Sequence, residues 1–156
     1  GATDWPGPSV TSLTLTPDGD GTRDAVINEL SGTTNLYQSV DDDPDSPTLT
    51  DWITTDGTDG SLFLDVTAVP AGFGAMATLQ VRADIALVGF TAETAVLYAQ
   101  VFASNESTIW TDEVTVGSEV SSDGLKEIDF VLNATGLAAP KADWDTARLK
   151  LRWDFT

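Results

Sequence analysis

Apolar and polar side chains alternate at period two through most of the chain, the spacing of β-strands. Leu13 and Leu15 alternate with Thr14 and Thr16. Leu62, Leu64 and Val66 stand against Phe63, Asp65 and Thr67. The longest run covers 79–88. There Leu79, Val81, Ala83, Ile85 and Leu87 face one way, and Gln80, Arg82 and Asp84 the other. Ile128, Phe130 and Leu132 alternate with Glu127, Asp129 and Val131. The last run sets Leu149, Leu151, Trp153 and Phe155 against Arg148, Lys150, Arg152 and Asp154. Clean alternation predicts antiparallel sheets with one wet face. Residues 95–103 break the rule: Ala95, Leu97, Ala99 and Val101 share one side, but Val96, Tyr98 and Phe102 make the other apolar too. Either a loop covers that outer side, or it is a subunit interface.

Asp-Gly pairs punctuate the runs at Asp18-Gly19, Asp20-Gly21, Asp56-Gly57, Asp59-Gly60 and Asp123-Gly124. Glycine supplies the positive φ of tight turns, so each pair predicts a turn. Further loops are expected over 41–47, 69–74 and 137–145, and helix signals are weak throughout. The expected fold is all-β: an antiparallel β-sandwich, specifically a jelly roll of about eight strands. Residues 1–10, with two Pro, two Gly and a lone Trp5, make an N-terminal arm. Residues 11–156 make the single jelly-roll domain, and Trp5 is the expected anchor of the arm on its own domain or on a neighbour.

Composition narrows function by what is missing. The chain has no His and no Cys, and 25 acidic residues face 7 basic ones. Histidine is the usual general base and metal ligand, and cysteine the strongest nucleophile. The expectation is therefore no enzyme and no cofactor. A net charge of −18 repels phosphate and anionic lipid, which excludes nucleic acid and membrane as partners. No apolar run reaches the length of a membrane span, and no basic stretch precedes an apolar core as in a signal peptide. The acid is mostly Asp, 19 residues against 6 Glu. Asp suits a turn-rich β-protein, and a large negative charge also suits a high-salt habitat.

Several clusters are candidates for chemistry. Asp18, Asp20 and Asp24 begin like a calcium loop, but Arg23 stands where such a loop needs Gly. They are metal candidates set against an ordinary Asp-rich turn. Asp41-Asp42-Asp43-Pro44-Asp45 reads as a solvated loop or a cation site. Asn105-Glu106-Ser107 and Asn133-Ala134-Thr135 fit the glycosylation pattern. Among five Trp, Trp153 reads as core, while Trp110, Trp52 and Trp144 are candidates for stacking on sugar rings. The sharpest charge feature is the row Arg148, Lys150 and Arg152 on one face of the last strand. It is explained either by cross-strand pairing with acids such as Glu127 and Asp129, or by contact with an acidic partner.

Five segments together form a larger pattern: "LTLTPDGDGT", "NLYQSVDDDPDSPTLTDWITT", "GSLFLDVTAVPAG", "MATLQVRADIAL" and "DWDTARLKLRW". The pattern resembles the jelly-roll module of structural proteins in tailed bacteriophages and related viruses. Val40-Asp41-Asp42 stands where that group has Val-Asp-Glu, and Trp52-Ile53 where it has Tyr-Ile. The Trp of the group's opening segment is absent, with Asp24-Ala-Val-Ile in its place. The resemblance spans about residues 11–156. It implies a head decoration or cement protein on the outer capsid surface of a virion. Its partners would be the major capsid protein and copies of itself, as in a trimer around a symmetry axis. Trp5, Tyr98, Phe102, Arg148, Lys150 and Arg152 are then the expected contact residues. A carbohydrate-binding β-sandwich module, virion-borne or secreted, is the alternative reading.

Overall fold

The computed structural model describes residues 14–24, 27–28, 35–43, 46, 53–54, 58–69, 79–85, 94–118 and 124–156. Among the described residues nine strands run β1 (Pro17–Asp24), β2 (Ile27–Asn28), β3 (Ile53–Thr54), β4 (Gly60–Val66), β5 (Leu79–Ile85), β6 (Ala95–Phe102), β7 (Val114–Ser118), β8 (Gly124–Phe130) and β9 (Arg148–Phe155). A 3-10 turn, Leu36–Ser39, follows β2. Two short helices, α1 (Ala134–Ala138) and α2 (Lys141–Trp144), precede β9.

Every strand pair is antiparallel. Five strands form one sheet in the order β1-β4-β9-β6-β7, with β2-β3 and β5-β8 as two-stranded ribbons. This is the antiparallel sandwich that the alternation predicts. The most regular strand, β9, lies at the sheet's centre, paired along its length with β4 and β6. The register aligns Leu64, Leu149 and Val101 in one row, Leu62, Leu151 and Ala99 in the next, and Gly60, Trp153 and Leu97 in a third. These side chains line the inner face.

Two clusters cover that face. At one end Ala99, Val101 and Val116 pack with Phe130, Trp110, Trp144 and Ala139, joined by Leu79 and Val81 from the β5-β8 ribbon. At the other end Leu62, Leu64 and Trp153 pack with Leu36 of the 3-10 turn and Ile53 of β3. Leu97 and Leu151 touch both clusters. Leu36, Leu62 and Leu64 have no exposed surface, and burial of each is worth about 1.5–3 kcal/mol.

Three expectations need correction. Residues 14–16 lie ahead of β1 and carry no strand, and Leu13 lies outside the described residues. The pairs Asp18-Gly19 and Asp20-Gly21 lie inside β1 and make no turn. A Cβ on Gly19 would stand 2.8 Å from the Asp65 carboxylate, and one on Gly21 would stand 2.8 Å from the Phe63 Cβ. At Gly21 glycine allows the close approach of β4, and the register is irregular on either side of Gly19-Asp20. Residues 137–145, expected as a loop, carry most of the two helices. The Asn133 carboxamide oxygen caps α1 by accepting the Gly136 N–H at 2.8 Å, and Pro140 starts α2. Lys141 pairs with Asp145 one turn on at 2.9 Å, and Asp145 accepts the Val69 N–H at 3.1 Å, which ties the helices to the end of β4.

Candidate interaction face

The outer face of the five-stranded sheet is a grid set by register. Its first row is Asp65, Arg148 and Phe102; its second Phe63, Lys150 and Gln100; its third Ser61, Arg152 and Tyr98. The middle column is the basic row seen in the sequence, and it stands on the central strand.

Each cation has a different environment. Arg148 pairs with Asp65 beside it and lies 3.7 Å from Glu106. Arg152 takes both oxygens of Glu113, at 2.7 and 3.0 Å, and also pairs with Asp154. Its guanidinium sits 4.1 Å above the Tyr98 ring. The hydrogen bonds that Arg152 donates to Glu113 hold it firmly protonated, against a smaller opposing effect of burial. Among the described residues no carboxylate pairs with Lys150. Its ammonium stands 5.5 Å from the Phe63 ring centre and 5.7 Å from that of Phe102, within cation–π range of both.

The aromatic residues of this face belong to the same arrangement. Phe63 meets Phe102 edge to face with centroids 5.1 Å apart. Both are buried within the chain, so the outer side of β6 is covered where Phe102 stands, with the Phe63 ring against it. Tyr98 is half-buried beneath Arg152. The turn after β6 closes the first row from above. Asn105 holds that turn by accepting the Ser107 and Thr108 N–H groups, and Glu106, at positive φ, reaches across to accept the Thr22 N–H at 3.1 Å.

Asp65 is pulled two ways. Burial raises its pKa, Arg148 lowers it, and the nearby carboxylates Asp18 and Glu106 raise it again. Burial is the largest effect, and the net direction is upward. The named acid partners of the basic row need correction. Glu127 and Asp129 lie on β8, which pairs with β5, so they bind Arg82 and Gln80, each at 2.9 Å.

The other candidates fall elsewhere. Asp20 uses both carboxylate oxygens to accept the Leu36 and Tyr37 N–H groups at 2.7 Å each, so it caps the 3-10 turn from outside. Asp18 and Asp24 lie with it on an extended strand. Among the described residues, no group of three or more acidic side chains is placed to hold a metal ion. Trp110, Trp144 and Trp153 are 3%, 4% and 7% exposed, and the first two pack ring to ring at 4.6 Å. None offers a flat open face to a sugar. A shallow groove of about 620 Å³ lies over Trp110 between the 103–108 turn and the helices, and Asp143 is the one charged residue among the described residues that line it. Asn133 donates to the Ile109 carbonyl at 2.7 Å while capping α1, so both ends of its amide are engaged. Trp5, Trp52 and Asp45 lie outside the described residues. Among these residues, no helix is long and apolar enough to cross a membrane.

No protein-family model, curated protein or solved structure matches the chain. Sequence reasoning missed Phe63 and Glu113. The wet-face position of Phe63 between Leu62 and Leu64 was the available signal, because an apolar ring there needs a cover.

Proposed function

We propose that this chain is a virion structural protein, a decoration or cement protein that binds the outer capsid surface and associates with copies of itself. The observation that carries the reading is the rigid outer face: a central strand bonded on both sides, with a row of cations locked over aromatic rings and carboxylates. Such a face holds its shape without a ligand, which suits adhesion. Nested strand pairing adds support for a jelly-roll winding, since β4 pairs with β9 and β5 with β8, as in a long hairpin rolled up on itself. The acidic surface favours a place outside the shell, away from packaged nucleic acid. The major capsid protein is the proposed partner.

Antibody raised against the chain tests this on intact heads of the virus that encodes it. Label on the outside of unbroken heads is the expected result. Label only on broken particles, or none, overturns the reading.

A further inference from the structure

The three cations of the outer face differ in one respect that structure alone makes visible. Arg148 and Arg152 are neutralised by carboxylates of their own chain, and among the described residues Lys150 between them has none. Lys150 sits at the centre of the sheet, half-buried, with Phe63 and Gln100 beside it in register. We infer that the Lys150 ammonium is the docking point for a carboxylate of a second copy of this chain, and that the face carrying Tyr98, Gln100 and Arg152 around it is the contact between copies. This rests on the assembly reading above and names the surface that performs the self-association.

Charge identifies the occupant. The chain carries 25 carboxylates against 7 cations, so any second copy presents many carboxylates and few competing cations. The net charge opposes association at long range. At about 0.15 M ionic strength that repulsion is screened beyond about 8 Å, while a direct ammonium–carboxylate contact is not. A single unneutralised cation at the middle of a fixed face therefore selects where an acidic copy can sit. Surrounding aromatic and guanidinium groups are of the kind that dominate binding energy at interface centres. The Phe63 and Phe102 rings already restrain the Lys150 side chain, which lowers the ordering cost of the contact.

Sedimentation velocity of the full chain at near-physiological salt tests this, with Lys150→Met and Lys150→Arg beside the natural protein. Methionine keeps the apolar stem over the rings and removes the charge; arginine keeps the charge. The natural protein should associate, Lys150→Met should weaken association by about tenfold or more, and Lys150→Arg should retain most of it. Circular dichroism checks that all three are folded. A monomeric natural protein, or a Lys150→Met variant that associates equally well, overturns the inference. Binding to capsids, measured separately by co-sedimentation, stands or falls on its own. A natural protein that stays monomeric yet binds capsids sinks this inference and leaves the decoration reading in place.

Discussion

Replacing Asp20 by Ala should destabilise the protein by about 2–4 kcal/mol, because one carboxylate holds two backbone donors that have no other acceptor in the turn. The Leu36 and Tyr37 N–H groups open the 3-10 turn, and Asn35 before them is left-handed with no side-chain cap of its own. Each bonds Asp20 at 2.7 Å, the length of a charge-assisted hydrogen bond. Leu36 is fully buried, so losing its acceptor carries a desolvation cost of about 1–3 kcal/mol. Tyr37 is half-buried, and water recovers part of its loss. Asp20→Asn keeps one acceptor and turns an amide N–H toward the other donor, so about 1–2 kcal/mol is expected. For a chain of this size these values correspond to Tm shifts of about 5–15 °C and 2–8 °C. Thermal and urea unfolding followed by circular dichroism would measure both. Leu36 packs against Trp153, so tryptophan emission should report loosening of that end first. If both variants unfold within about 0.5 kcal/mol of the natural protein, the capping argument is wrong.

Three further outcomes follow from the same geometry. Thr111 is fully buried and its hydroxyl accepts the Val101 N–H at 3.0 Å; Thr111→Val keeps the shape, strands that donor and should cost about 1–3 kcal/mol in urea unfolding. A Cβ on Gly136 would stand 2.5 Å from the Trp110 carbonyl oxygen, so Gly136→Ala should lose about 1–3 kcal/mol despite the better helix propensity of alanine, read by thermal melting. The Asp65 carboxyl should titrate above the ordinary aspartate range in a carbon-detected NMR titration. Because that pKa is raised on folding, its contribution favours the folded state on the acid side and is lost as pH rises through the folded-state value. An Asp65 midpoint at or below the ordinary range would show that Arg148 outweighs burial.

The regular strands were legible because their pattern is local. Alternation over 148–155 places Leu149, Leu151 and Trp153 on the inner face, where the structure has them. What misled was chemistry that depends on a distant strand. Gly19 and Gly21 read as turn residues, yet both lie in β1, and at Gly21 β4 comes too close for a side chain. Phe63 reads as an odd residue on a wet face until β9 and β6 bring Lys150 and Phe102 against it. The partners of the basic row could not be read, because alternation gives each strand's faces and not its neighbours. Arg152 finds Glu113 just ahead of β7, 39 residues away in sequence, a pairing decided only once β7 takes the edge beside β6. The two short helices escaped because five and four residues are too few for a 3.6-residue period to show.

The proposed decoration role is tested most directly by cryo-electron microscopy of intact heads from the virus that, on this proposal, encodes the chain. The account predicts copies of the antiparallel sandwich at symmetry-related sites outside the shell, with Lys150 of one copy facing a carboxylate of the next. Heads whose outer surface lacks this sandwich, with the chain found free in the lysate, would contradict it.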